Sequence, residues 1–227
     1  VEDGVADVGI VGQNVLLEKN KQVDVVQELG FGKCRLSIAI PRNQQYEGVA
    51  ALQGKRIATS YPFLVRQYLQ EHGVDAEIHE ISGSVEIAPG IGLADAVADL
   101  VSSGSTLFMN GLTEVETILH SQAVLIRNRL FNGEKLQLLE KLLFRIRAVR
   151  KSKRNKYVLL NAPNENLQQI IALLPGMKSP TVLPLAESGW SSVHSVLHED
   201  EFWDKIEALK AAGAQGILVV PIEKMIV

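Results

Sequence analysis

An α/β architecture follows from three features of the 227-residue sequence: apolar runs of strand length recur, helical stretches with turn residues separate them, and after residue 156 the order changes to βαββαβ. Residues 5–11, 23–29 and 34–40 read as the first strands, being apolar runs bounded by Gly, Asn and charged residues. A short helix over 47–53 ends at Gly54, and a strand over 56–59 follows. The helix over 61–72 opens after Ser60 with Pro62 in its first turn, brings Phe63, Leu64, Tyr68 and Leu69 near one face, and stops at Gly73. Strands over 76–81 and 96–101 complete this alternation, which predicts βαβ units in a doubly wound parallel sheet with ligands at the carboxyl ends of its strands. Beyond residue 107, strands over 114–119 and 123–127 precede an amphipathic helix over 134–149. Its Leu136, Leu139, Leu142, Leu143, Ile146 and Val149 follow helical spacing. The last unit reads as strand 157–161, helix 165–174, strands 181–185 and 191–198, helix 201–212 and strand 216–221, the order of a ferredoxin-like module.

Composition narrows the function classes. With 46% hydrophobic residues the chain can build real cores, and its length allows two or three small domains. A net charge of -3 argues against bulk electrostatic attraction to nucleic acid, so an anionic ligand needs a local site. The basic run over 145–156 has no interleaved aromatics and reads as a helix end complementing its dipole, then a solvated linker. Cys34 is the single cysteine and sits in an apolar run without an adjacent His, which makes it a packed strand thiol. No apolar stretch approaches the roughly 18 residues of a membrane span, no signal-like start is visible, and a reducing cytoplasmic setting is the expectation. His194 and His198 lack carboxylate or thiolate company and read as surface or packing residues.

The chemistry concentrates in Asp99-Leu-Val-Ser-Ser-Gly-Ser-Thr106. Asp99 closes an apolar strand and can accept from sugar hydroxyls. Gly104 allows close backbone approach, and Ser102, Ser103, Ser105 and Thr106 offer hydroxyls and amides to a phosphate. The same residues also suit an ordinary helix cap. No Ser-His-Asp or Cys-His arrangement is present, so no covalent nucleophile is expected.

The block from Gly83-Ser-Val-Glu-Ile-Ala-Pro89 through Gly92-Leu-Ala-Asp95 to Leu107 resembles the signature of the ATP phosphoribosyltransferases, and similarity continues through Gly54-Lys-Arg-Ile-Ala-Thr-Ser-Tyr-Pro62 and Pro221-Ile-Glu-Lys-Met225. The C-terminal module matches the long, histidine-regulated form. That resemblance implies two periplasmic-binding-protein-like lobes, the first one incomplete, followed by a regulatory domain. The boundaries expected are 1–31 with 108–150 for a discontinuous first catalytic domain, 32–107 for the second and 151–227 for the regulatory module. In the family the segment Asp7 to Val15 follows further strands and basic active-site residues, so the chain is expected to lack an N-terminal segment.

The implied reaction joins N1 of the ATP adenine to C1 of phosphoribosyl pyrophosphate, with inversion and release of pyrophosphate, as the first step of histidine biosynthesis. Mg²⁺ on the pyrophosphate and in-line binding of both substrates should supply most of the rate. The loop over 102–106 is assigned to the 5-phosphate, Asp99 to the ribose hydroxyls, and Glu86 and Asp95 to the sugar or metal side. Arg56, Thr59 and Tyr61 are candidates for the nucleotide. Asn161, Met177, Thr181 and Val196 match the feedback effector site for histidine, with Asn161 standing where the family often has an acidic residue. Assembly as a homo-oligomer, dimer and hexamer, is implied, with no nucleic-acid or membrane partner. The competing readings are a non-catalytic small-ligand or amino-acid-binding protein and a truncated inactive chain.

Overall fold

Two units make up the chain, Val1–Asn132 and Gly133–Val227. The computed structural model describes residues 1–130 and 133–226.

The first unit holds two sheets. In the smaller, β1 (Val8–Gly12), β2 (Asp24–Glu28) and β8 (Ala123–Arg127) lie in the order β1-β8-β2, both neighbours antiparallel to β8. Helix α1 (Gln13–Glu18) follows β1 directly. The larger sheet has the order β5-β4-β6-β3-β7, formed by β3 (Cys34–Pro41), β4 (Arg56–Thr59), β5 (Glu77–Glu80), β6 (Ala96–Val101) and β7 (Leu112–Ser121). Only β5, β4 and β6 form the expected parallel ladder; β3 runs antiparallel to both β6 and β7. The sheet is therefore mixed, because β3 enters directly from the other lobe instead of through a crossover helix.

Both faces of this sheet are covered. Ile38, Ile57, Ala96 and Ala98 pack with Val65 and Leu69 of α2 (Pro62–Glu71), all within 2% of full burial. On the opposite face Ala39, Ala58 and Val97 pack beneath Val85 of a short 3-10 turn, Val85–Ile87, Ala88 directly after it, and Leu107 of α3 (Ser105–Met109). Burying such residues is worth about 1.5–3 kcal/mol each, which fixes the strand ends against which the loops are set.

Two segments join the sheets. Residues 29–33 link β2 to β3, and Gln122 alone separates β7 from β8. They hydrogen-bond to each other: Leu29 N–H donates to Ala123 O and Ala123 N–H to Phe31 O, each at 2.9 Å. Gly32, at φ +60°, makes the turn that permits this pairing. The recrossing thus falls at Gln122, and β7 pairs with β3 in the larger sheet.

The second unit opens with α4 (Glu134–Lys153). Ser152 Oγ donates to Glu223 O and Met225 N–H to Ala148 O, so the helix is fastened to the end of its own unit. Then come β9 (Asn155–Pro163), α5 (Leu167–Leu173), β10 (Thr181–Pro184), β11 (Trp190–His198), α6 (Glu199–Ala211) and β12 (Gln215–Pro221). The antiparallel order β10-β11-β9-β12 is that of a ferredoxin-like sheet. Val158, Leu160, Val193 and Leu197 alternate onto one face beneath Ile170 and Leu209 of the helices. Among the described residues no helix is long and apolar enough to cross a membrane.

Candidate functional site at the carboxyl ends of β4 and β6

The parallel strands β4 and β6 end side by side, and what leaves them forms the site. Asp99 lies half-buried near the end of β6, opposite Ser37 of β3, and one carboxylate oxygen accepts the Leu100 N–H at 2.8 Å. Burial pushes its carboxyl above the usual range, with the carboxylate of Glu86 adding to the rise and the Leu100 bond opposing it. Glu86 belongs to the Val85–Ile87 turn, anchored by fully buried Val85.

The chain then bends. Ser102 and Ser103 are exposed, and Gly104 sits at φ +80°, a conformation open to glycine and strained for other residues. Ser103 Oγ and Ser105 Oγ lie 2.9 Å apart. The first bond within α3 runs from Phe108 N–H to Gly104 O at 3.0 Å, so the amides of Thr106 and Leu107 are not used by the helix. Hydroxyls and backbone donors thus gather on one exposed bend directly beyond Asp99. A cavity of about 400 Å³ borders it, lined by Arg35, Arg42, Ser103, Gly104 and Phe108 among others.

Sequence reasoning missed what holds this bend. Arg35 of β3 forms a bidentate ion pair with Glu114 of β7 and donates from Nη1 to Ser102 O at 3.2 Å. Arg42 donates to Phe108 O (2.7 Å) and Leu112 O (3.3 Å), with its guanidinium 3.7 Å from the Phe108 ring centre. Both ends of the segment 102–108 are therefore tied to the start and end of β3. Only the alternation of Arg35 with Ser37 on one strand face hints at this in the sequence.

The nucleotide candidates separate. Tyr61 stands at the start of α2, where its Oη accepts from Asn14 Nδ2 at 3.0 Å, and the Asp99 carboxylate is near enough to oppose its ionisation. Thr59 is fully buried, and its Oγ1 accepts the Tyr61 N–H at 2.9 Å, so it shapes the turn instead of facing a ligand. Arg56 opens β4 rather than following it, and Asp95 precedes β6. They lie at the amino ends of these strands, away from the bend, where Arg56 Nη2 and N–H each donate to Asp95 at 2.9 Å. The Arg56 guanidinium holds the Asp95 carboxyl down to about 2. This pair joins two strands at the ends remote from the bend.

In the second unit Asn161, Thr181 and Val196 share the sheet face opposite the core. Asn161 pairs with Ser192 and Val196 with Tyr157, four ladder positions apart or about 13 Å, too far for one amino acid to touch both on this sheet. Thr181 pairs with His194, and Met177 is exposed in the preceding loop. His194, read from sequence as a surface residue, is bonded by Tyr157 Oη (2.7 Å) and Ser192 Oγ (3.0 Å).

The sequence model of the family described as ATP phosphoribosyltransferase (HisG) matches residues 1–148, and that of the HisG C-terminal domain matches 152–224. The whole chain is 57% identical to the ATP phosphoribosyltransferase of Bacteroides thetaiotaomicron and 58% identical to that of Parabacteroides distasonis, covering 80% of each. A solved ATP phosphoribosyl transferase (HisG:HisZ) complex from Thermotoga maritima superposes with a TM-score of 0.58 at 29% identity, over 64% of this chain and 70% of that one. XAC2383 from Xanthomonas citri, at 14% identity and a TM-score of 0.51 over 63% and 64% of the two chains, shares the fold alone.

Proposed function

Because the chain belongs to the ATP phosphoribosyltransferase family, which condenses ATP with phosphoribosyl pyrophosphate in the first step of histidine biosynthesis, we propose that the bend over 102–106 grips the 5-phosphate while Asp99 accepts from the ribose hydroxyls. The observation that carries this assignment is the placement of both at the carboxyl end of β6, beside the end of parallel β4. Exposed Ser and Thr hydroxyls and unspent amides supply donors to the phosphate. A carboxylate beside the sugar opposes the positive charge that grows on the ribose ring as pyrophosphate departs. No side-chain nucleophile is needed, because ordering the two substrates in line is itself worth roughly 7–11 kcal/mol.

Glu86 and Asp99 are the residues that fit Mg²⁺ brought by the pyrophosphate, where the ion would neutralise the leaving group. Tyr61, whose ionisation the Asp99 carboxylate opposes, is assigned to the substrates as a hydroxyl donor. The second unit is assigned to histidine feedback on its open sheet face, contacting Asn161 or Thr181, with Met177 on the adjoining loop and Val196 outside the reach of a single molecule on Asn161. The enzyme works as a homo-oligomer, dimer and hexamer, in the cytoplasm. A neutral Asn161 makes a weaker partner for an α-amino group than a carboxylate.

Thr106→Ala tests the substrate assignment: pyrophosphate-dependent turnover falls at least tenfold with the melting temperature held, and native kinetics would refute it. Millimolar histidine raises the melting temperature if the effector assignment is right, and Asn161→Ala removes the rise. No shift would end the regulatory reading.

A further inference from the structure

Asn14, in the first turn of α1, is only 5% exposed and bridges two other elements. Its backbone N–H donates to Ser121 Oγ at 2.9 Å, Ser121 Oγ donates back to Asn14 Oδ1 at 2.9 Å, and Asn14 Nδ2 donates to Tyr61 Oη at 3.0 Å. Ser121 has one proton to give. With its oxygen taken by the Asn14 amide, that proton goes to Oδ1, which turns the carboxamide nitrogen toward Tyr61. The phenol oxygen therefore accepts, and its own proton is left to point elsewhere. Burial, with the Asp99 carboxylate adding to it, keeps that proton on the phenol against the Asn14 hydrogen bond, which favours the ionised form.

The three residues come from different parts of the first unit. Asn14 follows β1 of the smaller sheet, Tyr61 follows β4 of the larger, and Ser121 ends β7 beside the Gln122 crossing. The Tyr61 backbone is held separately by buried Thr59. Glu18 of α1 makes another tether, accepting the Phe63 and Leu64 N–H groups of α2 at 2.9 and 3.0 Å, but it does not touch the phenol.

We propose that Asn14 and Ser121 are positioning residues that orient the Tyr61 phenol as a hydrogen-bond donor to an oxygen of the substrate bound beside Asp99. This rests on the assignment of that crevice to the substrates. The junction between the two sheets thereby sets the aim of a donor in the crevice.

The test uses the full chain labelled with ¹³Cζ-tyrosine, the Tyr61 resonance being identified by its loss in Tyr61→Phe. That resonance moves in Asn14→Ala and Ser121→Ala and stays in place in Ser121→Thr, which keeps the hydroxyl. In turnover, Asn14→Ala and Tyr61→Phe each lower kcat/KM roughly tenfold, and the double variant is no worse than either single one. A resonance unmoved by Asn14→Ala, a Tyr61→Phe enzyme with native kinetics, or additive losses would each overturn the proposal. The NMR measurement needs no substrate, so it reads this relay even where Asp99→Asn leaves substrate binding intact and the crevice assignment itself fails.

Discussion

Replacing Gly104 by Ala separates the stability of the bend from its chemistry. An added Cβ would meet only Val101 Cγ1, at 3.9 Å, an ordinary van der Waals contact. The cost is then conformational, because φ +80° is strained for Ala, by about 1–2 kcal/mol. For a protein of this size that is a fall in melting temperature of roughly 2–8 °C. If the bend instead relaxes to a negative φ, the donors around it shift by about 1 Å, and such a displacement can cost on the order of 100-fold in rate. Thermal melting and kcat/KM for phosphoribosyl pyrophosphate, measured on the same preparation, give both numbers. A variant that keeps both the native melting temperature and a kcat/KM within about threefold of the native value would refute the cradle.

Asp99→Asn should raise stability at neutral pH while weakening substrate binding at least tenfold. The folded state holds the Asp99 proton more tightly than the unfolded chain, so stability declines as pH rises through that window, and the ionised group is a standing cost above it. A lower melting temperature for Asp99→Asn at pH 7 would contradict this. Asp95 has the opposite sign: its contribution is present above its ordinary value of 3.8 and lost as pH falls toward about 2. Urea titrations from pH 5 to 2 should accordingly show a shallower acid limb for Arg56→Ala than for the native protein, and equal slopes would deny the pair its role. Leu160, fully buried at the centre of β9, should cost about 2–5 kcal/mol when cut to Ala, and a calorimetric loss below about 1 kcal/mol would mean the second core is not packed as described.

The βαββαβ order of the second unit is legible residue by residue, because period-two burial in Val158, Leu160 and Ala162 alternates cleanly with helical segments. Asp99 and the glycine bend are equally legible, since a strand-closing acid followed by small hydroxyl residues is a local pattern. Strand direction is not: β3 is as apolar as a parallel strand, and only its pairing with β6 and β7 shows it runs the other way. Spacing put Arg56 at the opening of β4 but gave no sign of the Asp95 carboxylate, 39 residues on, that it pairs with there. The Asn14–Ser121 pair spans 107 residues, so its partners have no common local signal. Arg35 and Glu114 are hidden for the same reason.

Calorimetric titration of phosphoribosyl pyrophosphate with Mg²⁺, into the native chain and into Asp99→Asn, addresses the central claim most directly. The account predicts saturable one-site binding to the native protein and at least a tenfold weaker affinity for the variant. Equal affinity in both would place the sugar somewhere other than the carboxyl end of β6.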